Sequence, residues 1–133
     1  RMSRRYKDYV MLYLLHIIIR RFENDETPQT AYELATEHHL PIRMVNQLLS
    51  RLTETKVLRE VYVENKEDKT FQPALDTHKI SLGFVLDRIE KQGTEGFLQT
   101  TDEKQIEFWN KYLGIKQEYN DLNKILISEI NPK

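Results

Sequence analysis

The chain has 133 residues, 20 Lys/Arg against 21 Asp/Glu for a net charge of −1, and no cysteine. That length allows a single domain with a real core. The missing cysteine excludes disulfides, thiolate metal sites and a Cys nucleophile, and the balanced charge excludes a domain that binds polyanions over its whole surface.

The charge is nevertheless uneven. Residues 1–23 hold six Lys/Arg against two Asp/Glu, residues 24–80 seven against ten, and residues 81–133 seven against nine. The basic cluster Arg1, Arg4, Arg5 and Lys7 reads either as a solvated helix start or as a segment just inside a membrane, where Lys and Arg collect. The opening on Arg1 and the polar ends suggest a fragment of a longer protein. The longest apolar run, Val10 to Ile19 interrupted by His16, is shorter than the roughly 20 residues a spanning helix needs, and it carries no signal-peptide pattern.

In chain order, the first predicted helix covers about residues 3–23. Tyr6, Val10, Tyr13, Leu14, Ile17 and Ile18 form an apolar stripe that Tyr9, Leu12, Leu15, Ile19 and Phe22 widen, so more than one neighbour is needed to cover it. A loop at Asn24 to Pro28 leads to Thr30-Ala31-Tyr32-Glu33, a capping box in which hydroxyl and carboxylate each accept from the other residue's free backbone N–H. A short helix over about 30–38 carries Leu34 and Ala35 inward. His38-His39-Leu40-Pro41 ends it, and Pro41 can start the next helix. That helix, about 41–55, places Val45, Leu48, Leu49 and Leu52 on one face.

The period then switches from 3.6 to 2. Val57, Leu58, Val61, Tyr62 and Val63, a charged tip from Asn65 to Lys69, and Phe71 to Ala74 read as a hairpin with strands at about 58–64 and 70–74. Two helices, a tight turn and a hairpin make a winged helix-turn-helix. A connector at Asp76 to Lys79 follows. Ser81 caps a helix over about 81–92 with Phe84, Val85 and Ile89 inward and Gly93 as its stop, and Thr94 to Gly96 form a turn. The last segment, about 101–130, carries Phe108, Tyr112, Ile115, Tyr119, Leu122 and Leu126 at heptad spacings. This seam either packs on the first helix or joins two copies of the chain. Gly114 can split the segment.

Candidate chemistry is sparse. His16, His38, His39 and His78 fall in none of the spacings that put two imidazoles on one metal. His38 and His39 suit a helix C-terminus, and His16 reads as a core histidine. No phosphate loop, dinucleotide fingerprint or nucleophile elbow occurs. The expectation is therefore no catalytic residue, no metal site and no cofactor. For nucleic acid, the outward residues of the second motif helix are Arg43, Asn46, Gln47, Ser50 and Arg51, types that can read guanine and adenine edges. The wing adds Lys66 and Lys69 but also Glu64, Glu67 and Asp68, so it supplies little phosphate neutralisation.

Four stretches carry a resemblance: Ser3 to Tyr9 leading into an apolar helix, Leu40 to Leu49, Phe71-Gln72-Pro73-Ala74 followed by Asp76, and Leu82 to Ile89 before Gly93. Together they resemble the C-terminal cytoplasmic extension of YihY/BrkB-family inner-membrane proteins, long labelled "ribonuclease BN". The resemblance implies a multi-span membrane domain ahead of Arg1, a place on the cytoplasmic side of the bacterial inner membrane, and the membrane part of the same chain as partner. The label would imply tRNA processing, for which these residues offer no cluster of ligands. The same stretch is also similar to the winged-helix domain of small bacterial transcription repressors, which often carry cluster-binding cysteines that this chain lacks.

The sequence thus predicts a mainly α protein: a winged helix-turn-helix at 1–95 with a two-stranded β-wing, then a helical extension at 96–133. Its function reads as a non-catalytic regulatory or protein-interaction module of a YihY/BrkB-like protein, with a tRNA-processing ribonuclease and a DNA-binding transcription regulator as alternatives. Residues 108–126 of the seam are the expected homodimer interface.

Overall fold

The computed structural model describes residues 3–94 and 99–130. Arg1, the expected turn at Glu95 and Gly96, and the expected boundary between residues 95 and 96 lie outside them.

Helix α1, Arg4–Glu23, starts where the Ser3 hydroxyl accepts from the Tyr6 N–H. Its Val10, Met11, Leu14, Leu15, Ile18 and Ile19 are buried, while Tyr6, Tyr9, Tyr13 and Phe22 stay exposed. The winged core therefore covers about half of a helix whose sequence is apolar nearly all round.

Strand β1, Gln29–Thr30, runs into helix α2, Ala31–Glu37, whose capping box forms as the sequence expects. His39 adopts a left-handed φ of 55°, and the Leu40 N–H reaches back to the Ala35 carbonyl at 2.9 Å. This tight reversal launches α3, Ile42–Glu54, with Met44, Val45, Leu48, Leu49 and Leu52 buried. Lys56 repeats the left-handed exit at φ 63° and hands the chain to β2, Leu58–Val61. Asn65, with φ 71°, turns the hairpin; Asn tolerates this region better than most residues. Strand β3 follows at Thr70–Pro73.

The sheet has three antiparallel strands in the order β1-β3-β2, pairing Thr30 with Thr70 and Leu58 with Pro73. The expected wing had two. The third strand is too short to show a period in sequence, and it exists because the residues entering the capping box lie along β3. Helix α4 spans Leu82–Thr94, with the Ser81 hydroxyl accepting from the Phe84 N–H. Its ladder runs through Gly93 rather than stopping there.

Helix α5, Glu103–Leu122, is continuous through Gly114 but ends eight residues before the predicted boundary. Residues 123–130 instead fold back as a strap. The Leu82 and Gly83 N–H groups donate to the Ile125 and Asn123 carbonyls, both at 2.8 Å, and the Ile127 N–H donates to the Ile80 carbonyl at 3.0 Å. Ile127 is fully buried. His16 Nδ1 lies 2.8 Å from the Ile127 carbonyl, and the Arg20 guanidinium donates to the Ser128 carbonyl at 3.3 Å. The sequence predicts one helix over about 101–130 that packs on the first helix or joins two copies. In the structure α5 packs chiefly on α4, and the strap's short 3-10 turn, Ile127–Glu129, is what packs on α1. Gly83 permits this: a Cβ there would sit 1.8 Å from the Asn120 carbonyl oxygen.

Candidate nucleic-acid interface

With α3's apolar face turned into the core, Arg43, Asn46, Gln47 and Ser50 are all exposed on the other side. Amphipathicity thus presents four of the seven predicted contact residues together. Pro41 stands at the N-cap of α3, and no side chain caps the helix. Its first amides remain free to meet an anion.

The other three predicted residues are engaged within the protein. Arg51 is half-buried and directed at α1, 3.6 Å from the Asp8 carboxylate. Lys69 pairs with Glu60 across the hairpin at 2.8 Å, and that carboxylate raises its pKa. Lys66 is turned back toward the protein: its Nζ donates to Glu33 Oε1 at 2.8 Å and to the Pro28 carbonyl at 2.9 Å. The Lys66 ammonium is the main reason the Glu33 carboxyl lies below its ordinary range, with the Thr30 N–H next.

The hairpin therefore contributes less positive charge than its composition promised. Its free charges at Glu64, Glu67 and Asp68 are negative and exposed. A groove of about 470 Å³ separates it from α3, lined in part by Tyr32, Ile42, Asn46 and Tyr62, with Glu67 and Asp68 on the wing side. Tyr32 and Tyr62 are 67% and 73% exposed. Neither ring stands out in sequence as a contact: Tyr32 lies on the exposed side of α2, and Tyr62 falls just past β2 in the connection to β3. Arg59 on β2 is a further exposed cation of the hairpin.

The remaining predicted features fall elsewhere. His38 caps the C-terminus of α2 and stacks edge-on against Tyr13, ring centroids 5.7 Å apart. Among the described residues no three His, Asp or Glu side chains lie together as a metal would need, and no helix is long and apolar enough to cross a membrane. Phe108, Tyr112, Ile115, Tyr119 and Leu122 form one exposed stripe along α5. Leu126 leaves this seam: it lies in the strap, bridged to Ser81. Beside the stripe Trp109 packs edge-on to Phe108 and Tyr112, at 5.1 and 5.8 Å between ring centroids.

No protein family matches the chain, and no curated protein matches it. Solved structures do. Staphylococcus aureus CymR is similar at a TM-score of 0.60 and 15% identity, over 96% of this chain and 97% of that one. T. potens IscR aligns at 0.61 and 16% identity, over 98% and 85%. CymR (YrzC), the global cysteine regulator of B. subtilis, aligns at 0.54 and 14% identity, over 98% and 95%. At these identities the likeness is one of fold, and it covers nearly the whole chain: the protein is a winged helix-turn-helix with additional C-terminal helices.

Proposed function

We propose that this chain is a DNA-binding regulatory module, with α3 as the helix that enters the major groove and two copies joined through α5. The carrying observation is the α3 face of Arg43, Asn46, Gln47 and Ser50, held outward by a fully buried apolar face and ahead of it an uncapped N-terminus. Arg pairs with guanine, and Asn and Gln with adenine. The likeness in fold to CymR and IscR, one of them described as a global cysteine regulator, supports a transcription regulator over the module of a membrane protein. Having no cysteine, this chain would sense no signal through thiols of its own.

The dimer rests on the exposed α5 stripe. Five large apolar side chains at heptad spacing suit a helix that meets its own copy, and a two-fold pair would present two α3 helices to successive major grooves.

Selection from a random-sequence duplex pool, followed by mobility shift at low and moderate salt, tests the DNA reading. A selected site, weakened about 10-fold or more by Arg43→Ala, is expected; no enrichment and no shift at low salt would reject it. Sedimentation gives the mass, with two chains expected for the wild type and one for Leu122→Glu.

The membrane-module reading draws on the YihY/BrkB resemblance and on Arg4 and Arg5, exposed at the start of α1. The coding sequence upstream of Arg1 decides it: a multi-span apolar region supports it, and its absence removes it.

A further inference from the structure

We infer that Lys66 is a positioning residue of this interface: it ties the wing to the N-terminal cap of α2, so that hairpin and helix-turn-helix move as one body. The inference deepens the DNA-binding reading and rests on it for its functional consequence.

Two donors converge on one carboxylate, and through them the wing, α2 and the segment entering β1 are joined. Glu33 Oε1 accepts from the Thr30 N–H at 2.9 Å, closing the capping box, and from Lys66 Nζ at 2.8 Å. Lys66 Nζ also donates to the Pro28 carbonyl at 2.9 Å, in the segment entering β1. Thr30, paired with Thr70, anchors β1 to β3, and the Thr70 hydroxyl donates to the Val61 carbonyl in β2. The lysine is thus cross-linked to the wing's own base by a route 33 residues long in sequence. Its side chain is only 22% exposed, a poor state for meeting a phosphate. A lysine on a wing tip ordinarily suggests a phosphate contact, whereas the donors of this one are directed back at the protein.

An eight-residue connection, 62–69, joined to the rest only by its strands would swing; the tether fixes the width of the groove between Tyr62 on the wing side and Ile42 and Asn46 on α3. A nucleic acid reading α3 then meets the wing at a set distance.

The two roles give different signatures. Losing a phosphate contact lowers the slope of log K against log salt by about 0.9; losing a positioning residue weakens binding at an unchanged slope. Lys66→Met and Glu33→Gln, singly and together, are measured by amide hydrogen exchange across residues 62–69 and by salt-dependent DNA binding. Expected are faster wing exchange in each single variant, no further increase in the double, and several-fold weaker binding with the wild-type slope. Glu33→Gln keeps an acceptor for the Thr30 N–H, so it loosens the wing without removing the helix cap. Unchanged wing exchange, additive effects in the double variant, or a slope reduced by about one phosphate contact would overturn the inference. A wild-type protein that binds no duplex at low salt would sink the DNA reading instead, and the exchange experiment would still decide the tether.

Discussion

Helices α3 and α5 both carry an apolar stripe at regular helical spacing, and they end in opposite environments. In α3, Val45, Leu49 and Leu52 are completely shielded, whereas Phe108, Ile115, Tyr119 and Leu122 of α5 are mostly open to solvent. The difference lies in what surrounds each helix. Helix α3 is boxed in by α1, α2 and β2, while α5 packs chiefly on α4 and, among the described residues, its heptad stripe stays largely exposed. Periodicity establishes that a helix has an apolar face; it says nothing about which surface, of this chain or another, will cover it.

The sharpest way to break that comparison is to truncate both stripes. Leu52→Ala should cost about 2–5 kcal/mol in urea unfolding, the usual range for a fully buried leucine. Leu122→Ala in dilute, monomeric protein should stay within about 0.5 kcal/mol. Equal losses would mean that α5 is buried in the monomer. Gly83→Ala comes next. Its Cβ would collide with the Asn120 backbone, and forced overpacking costs about 1–3 kcal/mol. The measurable consequence is loss of the strap, seen as faster exchange of the Ile127 amide. A Gly83→Ala protein with native stability and a protected Ile127 amide would show that α4 and α5 are not held in this register.

Association gives the next contrast. A dimer through α5 makes the melting temperature rise with protein concentration, and Leu122→Glu should abolish that dependence while leaving the dilute-limit value nearly unchanged. The smallest effect is in acid. Glu33 has its folded pKa below the ordinary 4.5, first because of Lys66, so its contribution is complete above that value and is lost as pH falls through the folded pKa. Wild type should exceed Glu33→Gln at neutral pH by less than about 1 kcal/mol, since the carboxylate is half-exposed, and the gap should close in acid. A gap that widens on acidification would reverse the sign of the assignment.

Local chemistry by itself determined the helix-turn-helix. The Thr30/Glu33 box, the Pro41 start, the buried phase of α3, the Ser81 cap and the change of period at Val57 each act within a few residues, so they can be read without knowing the rest of the chain. The outward positions of Arg43, Asn46, Gln47 and Ser50 follow from the same helical phase. What needed the tertiary structure was everything set by distant partners. Lys66 looked like a free cation because Glu33 lies 33 positions away; Arg51 looked available because Asp8 is on another helix. The two-residue β1 has no pattern of its own and exists only along β3. Residues 123–130 have ordinary helical composition, but Ile80, Leu82, Gly83 and His16 offer their backbone and Ile127 better partners than one more turn of α5 would. Pairing of charges and covering of apolar faces are decided between elements, by which surfaces folding brings within hydrogen-bond or van der Waals reach, and that geometry is not contained in any single stretch of sequence.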